Sequence, residues 1–386
     1  MNIQVSVKQI LIYLIIPTYL LSGGYGPIKF IFIFPLAIFM ILAILIVVRK
    51  KLYKKFFTHH ISFFIILATL SLASIVDGAS LRSYLEVFEI VVGLTVILLL
   101  NQYITDRNSI SKILTVIKFV VFISAMHAMA QYFAGERVTG PYSNENRLAT
   151  LYVFVAPFYL AELCKKFKLS NIFILGLIAV VLILVGSRFS QLCFLIAGFF
   201  TVIELIKSSR IKQKRYIVFA FIVGSIIIAP LVLSVIGSEQ GKSLSDQSQS
   251  KGGSLALRFF LFSEGLRIFE ESNYMGVGAG NIYTNSYWDD EVAEGSLHNH
   301  ALSLLATYGL LGFLSFVYMY IYLIKDYRNL NTIYDNREYL FALKIFLIIF
   351  ILASNSPSSL FQFRPFYFIF GFYFSILNIY KKECVR

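Results

Sequence analysis

The feature that most constrains this chain is a series of long apolar runs separated by short polar stretches. The runs lie near residues 8–22, 27–48, 60–76, 84–101, 112–133, 147–164, 170–186, 189–206, 216–236, 300–324, 339–354 and 364–380. A helix needs about 20 apolar residues to cross the hydrocarbon core of a bilayer, and it satisfies its own backbone hydrogen bonds there. The pattern therefore predicts an all-α polytopic membrane protein with about twelve transmembrane helices.

Composition and charge point the same way. Hydrophobic residues make up 58% of the chain and charged residues 14%. In soluble domains, about a quarter of all residues are charged. The formal net charge is +13, but the basic residues form short clusters between apolar runs, as in 49–55 and 207–215. Such clusters are typical of cytoplasmic loops, so we expect no nucleic-acid partner. The three cysteines show no CxxC spacing and predict neither a disulfide framework nor a zinc site.

The charge distribution also predicts the orientation. A cytoplasmic N-terminus places most basic clusters inside and the excess of acidic residues outside, which predicts a multi-pass inner-membrane protein with both termini cytoplasmic. We expect one integral membrane domain, 1–386, with one large periplasmic loop at 237–299. Within that loop, apolar residues recur at spacings of four and three, which predicts an amphipathic helix in the membrane interface. These residues are Leu255, Phe259, Phe262, Leu266 and Phe269.

Arginines on the outer side are unexpected, because basic residues are enriched in cytoplasmic loops, and we therefore consider a role for each of them. They are Arg82, Arg137, Arg147, Arg188, Arg258, Arg267 and Arg364. Arg188 lies in a very short turn, where it is either an interfacial anchor or a clamp for an anion, because the guanidinium fork matches phosphate. On the amphipathic helix, Arg258 falls beside the apolar stripe. Arg267 points away from it, with Glu264 and Glu271 at ion-pair spacing, which favours a solvated residue.

Two histidines, His298 and His300, flank Asn299 at the start of a late apolar run. Histidine transfers protons near neutral pH, although a histidine at a helix start is often a cap or a packed residue. The glycines at 276–280 favour a tight turn over a phosphate-binding loop, because no strand or βαβ unit surrounds them. The acidic residues at 289–291 favour a solvated loop over a metal site. We therefore expect neither a metal nor a cofactor.

Four of these segments together resemble the O-antigen ligase/polymerase family of bacterial surface-polysaccharide enzymes. They are the outer segment 137–146, which ends in Asn146, the short turn 186–189, the arginine-containing helix and glycine turn 258–280, and the segment 298–312. The last is the most specific, and the N-terminal third is similar only in hydropathy. Thr307 departs from the family pattern, since many members carry glutamate there.

The resemblance implies a GT-C-like fold and a membrane glycosyltransferase that uses undecaprenyl-diphosphate-linked glycans as substrates. It implies catalytic roles for His298, Arg258 and Arg188 and substrate-binding roles for Arg137, Asn146, Asn299 and His300. In this chemistry a sugar hydroxyl attacks the anomeric carbon of the donor while His298 orients it or takes its proton. Two arginines neutralise the leaving diphosphate, so the expected enzyme is metal-independent.

The function we expect is an O-antigen polymerase that joins repeat units on the lipid carrier at the periplasmic face. The richness in Phe and Tyr favours it weakly, since polysaccharide gene clusters of low G+C content often encode such chains. The alternatives are an O-antigen ligase, which transfers the glycan to lipid A–core, and a transporter of lipid-linked oligosaccharides. Besides these glycans, the expected partners are membrane lipids and a chain-length regulator.

Overall fold

A computed structural model of the chain describes residues 16–21, 59–76, 81–142, 144–165, 168–207, 253–285, 292–294, 297, 299–333, 338–354 and 363–385. The helices in this part are α1 (Ile16–Leu21), α2 (His59–Val76), α3 (Leu81–Tyr103), α4 (Arg107–Phe133), α5 (Glu145–Lys165), α6 (Leu169–Val185), α7 (Arg188–Lys207), α8 (Gly253–Glu271), α9 (His300–Ile333), α10 (Glu338–Ala353) and α11 (Arg364–Val385). Two three-residue strands, β1 (Tyr283–Asn285) and β2 (Val292–Glu294), pair antiparallel. The part of the chain that the structure describes is thus all-α apart from these two strands.

Five of the described helices are long and apolar enough to cross a membrane: α4, α5 and α9 over their full length, and the segments Glu86–Tyr103 of α3 and Arg188–Leu205 of α7. Two further helices, α6 and most of α10, are apolar but shorter. The predicted runs at 27–48 and 216–236 lie outside the described residues, as do 8–15 and 237–252. Each of the other predicted runs coincides with a helix to within several residues.

The helices extend beyond the apolar runs because capping and polar contacts, rather than hydropathy, set their ends. The run at 112–133 becomes a helix from Arg107, and the carboxylate of Asp106 accepts the backbone N–H of Ser109 as an N-cap. The run at 300–324 becomes a helix to Ile333, and Lys381 of α11 reaches Asp326 in its polar extension at 2.5 Å. Hydropathy detects only the apolar middle of such helices.

Helix α9 is broken at Gly309, which adopts φ 65° and ψ −166°. The break frees backbone groups that a continuous helix would use internally. The amides of Val277 and Gly278 donate to the carbonyls of Ala306 and Thr307 at 2.9 and 2.8 Å. The amide of Leu310 donates to the carbonyl of Tyr274 at 3.1 Å. We call segment 274–278 the clasp, because these three hydrogen bonds fix it across the break.

Contacts between helices that are distant in sequence define two ends of the bundle. At the end that carries α8, the ring of His300 at the start of α9 lies near Phe350 at the end of α10 and Phe366 at the start of α11. At the opposite end, Arg107 at the start of α4 pairs with Glu383 at the end of α11. Helices α10 and α11 therefore run in opposite directions between the two ends, as expected for successive helices that cross a membrane.

Candidate functional site at the α8 end of the bundle

Helix α8 packs against the first turns of α9 through one narrow face. Ile268, Leu302 and Ala306 form a small buried cluster with Leu297. Gly265 allows this approach, since a Cβ there would lie 2.4 Å from the Cδ2 atom of Leu302. The predicted amphipathic helix is therefore confirmed as a helix, but the face that it packs on the protein is not its apolar stripe.

The apolar stripe of α8 points away from the protein. Phe259 and Phe262 are 69% and 48% exposed, and Leu266 is exposed as well. Beyond the helix, Tyr274 and Met275 add exposed apolar surface, and the ring of Phe269 contacts that of Tyr274 at 5.1 Å. Such a continuous apolar surface is typical of a helix that lies against lipid.

Arg267 has the ion-pair partners that its spacing predicted. It contacts Glu264 at 2.9 Å and Glu271 at 2.6 Å, and these carboxylates raise the pKa of Arg267 above its ordinary value. The side chain of Arg267 is partly exposed, as expected of a solvated residue, while that of Glu264 is buried. Arg267 therefore neutralises a buried carboxylate in addition to facing water.

Arg188 is the first residue of α7 and lies two residues after the left-handed Gly186 that caps the end of α6. Its side chain is exposed. Arg137 and Arg364 at this end contact Glu145 and Glu89, but none of the residues that the structure describes pairs with Arg188. A helix N-terminus adds partial positive charge to this guanidinium. The position suits an anion from outside the chain.

The other predicted site residues of the late segment lie around the start of α9. The side-chain oxygen of Asn299 accepts the amide of Leu302 at 3.0 Å, so Asn299 caps α9. His300 is buried, with its ring edge-on to Phe316 at a centroid distance of 5.0 Å. This enclosure gives His300 a packing role at the start of the helix, and its substrate contact stays a prediction. His298 lies outside the described residues.

Arg258 falls within α8, and its side chain lies outside what the structure describes. The separation of its guanidinium from that of Arg188 therefore stays untested. The elements that carry both residues nevertheless share one end of the bundle: α8 packs on the start of α9, and the thiol of Cys193 in α7 lies 3.8 Å from the carbonyl of Ile349 in α10. Ile349 precedes Phe350, which lies beside His300.

The segment 137–146 is held at the same end. The ring of Tyr142 lies 5.9 Å from that of Phe363, and its hydroxyl donates to the carbonyl of Leu20 at 2.6 Å. Burial raises the pKa of Tyr142 well above its ordinary value, so the hydroxyl stays a donor. Arg137 is largely exposed and pairs with Glu145 at 2.5 Å, while Asn146 is half-buried in the first turn of α5.

A feature that the sequence analysis missed is a polar stripe at the start of α3, formed by Ser83, Glu86 and Glu89. The hydroxyl of Ser83 donates to the side-chain oxygen of Asn281 at 3.1 Å. Glu86 accepts the hydroxyl of Tyr308 at 3.1 Å, and Glu89 accepts Arg364 through contacts down to 2.6 Å. Two carboxylates three residues apart in the first turns of an apolar run were the available signal.

The glycines at 276, 278 and 280 all have positive φ, as the tight-turn interpretation requires. Gly276 and Gly278 belong to the clasp, where a Cβ on Gly276 would lie 2.4 Å from the backbone nitrogen of Gly309. Among the residues that the structure describes, no cluster of His, Cys, Asp and Glu could hold a metal ion. The acidic residues 289–291 lie outside them.

Comparison with known proteins gives one family. Residues 173–317 match the family model described as O-antigen ligase. The matched range includes Arg188, α8, the clasp and the start of α9, and it confirms the resemblance predicted from the sequence. Together with the apolar helices, it supports a multi-pass membrane protein. No curated protein matches the chain.

Proposed function

We propose, from the match of residues 173–317 to the O-antigen ligase family model, that this protein is an O-antigen polymerase. It would join undecaprenyl-diphosphate-linked repeat units at the periplasmic face of the inner membrane. The observation that carries the proposal is the exposed Arg188, which has no carboxylate among the described residues and lies within the matched range.

The proposed topology has about twelve helices, a GT-C-like arrangement and both termini in the cytoplasm. The α8 end then faces the periplasm, with loop 237–299 in the single domain 1–386. Two observations support it: α8 exposes its apolar stripe, as a helix lying on lipid would, and Arg107 and Lys381 lie at the opposite end.

The reaction needs a base, an acceptor hydroxyl and a site for a leaving diphosphate. The hydroxyl oxygen of the acceptor sugar attacks the anomeric carbon of the donor, and His298 takes the proton. The bond from that carbon to the diphosphate oxygen breaks, and undecaprenyl diphosphate leaves with the electron pair. Arg188 and Arg258 hold the developing negative charge, for which positioned donors are worth about 3–4 kcal/mol each.

Around this centre, Arg137, Asn146, Asn299 and His300 are proposed to shape the substrate site. These residues differ in their exposure and in the contacts that they make. Arg137 is exposed and available to a glycan or a phosphate, whereas Asn299 caps α9 and His300 packs among aromatic rings. We expect Arg137 to contribute through direct contact and Asn299 through the direction in which α9 begins.

A ligase is the alternative that shares every motif, because both reactions use the same donor and the same leaving group. The match to the family model is compatible with either activity. The difference lies in the acceptor, which is another lipid-linked repeat unit for a polymerase and lipid A–core for a ligase.

A transporter is the alternative from another class. Broken helices lining a cavity are typical of transporters, and α9 is broken at Gly309. The carbonyls freed by this break are taken up by amides of the clasp, so the break joins the outer segment to the bundle. This favours a surface enzyme over a transport pathway.

The test is electrophoresis of lipopolysaccharide from a deletion strain. Loss of a polymerase leaves core capped with a single repeat unit. Loss of a ligase leaves bare core with polymer on the carrier, and loss of a transporter traps single units inside. The purified protein in lipid vesicles should extend lipid-linked repeat units without lipid A–core and in the presence of a metal chelator. Transfer that requires lipid A–core would overturn the polymerase in favour of the ligase.

A further inference from the structure

The polar stripe of α3 reaches three different elements of the site. Ser83, Glu86 and Glu89 follow one another at three-residue intervals and so lie on one side of the helix. Their partners are Asn281 just beyond the clasp, Tyr308 beside the break in α9, and Arg364 at the start of α11. One helix face therefore contacts the outer segment, α9 and α11 together.

The middle contact is the most buried of the three. Glu86 and Tyr308 are 7% and 2% exposed. The hydroxyl of Tyr308 also accepts a hydrogen bond from Ser71 at the end of α2 at 3.2 Å. Hydrogen bonds to a charged group in such surroundings are stronger and more directional than exposed ones. The side chain of Tyr308 is thus fixed between α2 and α3.

Tyr308 also lies next to the backbone hydrogen bonds that join α9 to the clasp. It precedes Gly309, and its neighbours Thr307 and Leu310 form backbone hydrogen bonds with Gly278 and Tyr274 of the clasp. The clasp continues from α8, which carries Arg258, and the first turns of α9 follow directly after His298. A shift of Tyr308 would therefore be passed to both segments.

We propose that the polar stripe of α3 anchors the clasp, α9 and α11 in register, and that Glu86, acting through Tyr308, is a positioning residue for the reaction. The second part rests on the proposed function. A displacement of about 1 Å at a reacting group can cost on the order of a hundredfold in rate. The carboxylate contacts no reacting atom in this role.

The test uses Tyr308→Phe in the full-length protein in lipid vesicles, because this change removes one hydroxyl and keeps the ring. Hydrogen–deuterium exchange should become faster in segments 274–282 and 300–310. The rate of repeat-unit addition should fall about tenfold to a hundredfold, with KM changed less than about twofold. Glu86→Leu should act in the same way, whereas Glu86→Gln keeps an acceptor and should restore most of the rate.

Tyr159→Phe is the matched control. Its hydroxyl is also buried and donates to the carbonyl of Leu114 at 3.2 Å, but near the opposite end. It should leave exchange at the clasp and the rate of addition unchanged.

The outcomes separate the two proposals. If Tyr308→Phe leaves exchange unchanged, the anchoring is wrong. If Glu86→Gln is as inactive as Glu86→Leu while exchange stays at the wild-type level, Glu86 acts directly and the positioning role is overturned. If exchange responds as expected but the wild-type protein adds no repeat units, the anchoring stands and the polymerase proposal fails.

Discussion

Each end of the bundle has an ion pair between an arginine and a glutamate, and the two pairs differ in their exposure to solvent. At the α8 end, Arg364 of α11 pairs with Glu89 of α3, and their side chains are 13% and 18% exposed. At the opposite end, Arg107 of α4 pairs with Glu383 of α11, and theirs are 40% and 34% exposed. Both closest contacts are 2.6 Å. Distance alone therefore does not distinguish them, and burial does.

The difference in burial determines how firmly each ion pair fixes the helices that it joins. A buried pair is costly to break, because the remaining charge is left in a poorly solvating environment. An exposed pair is screened by water and salt and contributes little. For these two pairs, a firmly held contact at the α8 end and a tolerant one at the opposite end are what we expect if chemistry occurs at the α8 end.

The largest effect should come from removing the proposed chemical groups at the α8 end. His298→Ala and Arg258→Ala should each lower repeat-unit addition by about 10²–10³-fold, because a positioned base or a charge donor is lost. Membrane levels of the protein should stay near normal. The measurement is polymer length on gels beside immunoblots. Arg107→Ala at the opposite end should keep chain growth, and equal damage from it would break the comparison.

Breaking the partly buried pair of Arg364 and Glu89 should come next. Glu89→Ala should destabilise the protein by about 2–3 kcal/mol, because Arg364 loses its carboxylate in a mostly buried position. Equilibrium unfolding in detergent measures this, and Glu89→Gln should recover part of the loss by keeping a hydrogen-bond acceptor. An effect below that of Glu383→Ala would show that burial does not set the hierarchy.

An intermediate effect is expected for Arg267→Ala on α8. It should cost about 1–2 kcal/mol of stability, since Glu264 is buried and loses its counter-charge. The rate of addition per folded molecule should stay near that of the wild type, because Arg267 points away from the stripe beside Arg258. Unfolding and activity should be measured on the same preparation. A rate loss as large as that of Arg258→Ala would refute this assignment of the two arginines.

The smallest effect should be that of Glu383→Ala. The loss should be less than about 1 kcal/mol and should shrink further as salt is raised. The comparison is sharpened if the loss for Glu89→Ala depends much less on salt in the same titration.

Periodicity and hydropathy were sufficient for most of the described fold, because both act within one segment. The apolar runs located the helices, and the stripe from Leu255 to Phe269 identified α8. The partners of Arg267 also followed from spacing, since residues three and four apart meet on any helix. Hydropathy does not detect the pairing of β1 with β2 or the polar extension of α9 beyond residue 324.

Contacts between residues distant in sequence could not be predicted from spacing within one segment. Nothing in the spacing of Ser83, Glu86 and Glu89 names Asn281, Tyr308 and Arg364 as partners, because those meetings depend on how distant helices pack. The same holds for His300. A histidine beside His298 suggested a second polar group at the site, whereas its actual neighbours, Phe316, Phe350 and Phe366, come from three helices.

The crossing of the clasp and α9 limits how the chain can vary. A Cβ on Gly276 would lie 2.4 Å from the backbone nitrogen of Gly309, and a Cβ on Gly309 would lie 2.4 Å from the carbonyl group of Met275. Both obstacles are main chain, so no trimming of a neighbouring side chain can make room for alanine at either position. A genetic screen for second-site suppressors of Gly276→Ala should therefore recover true revertants and no compensating substitutions nearby.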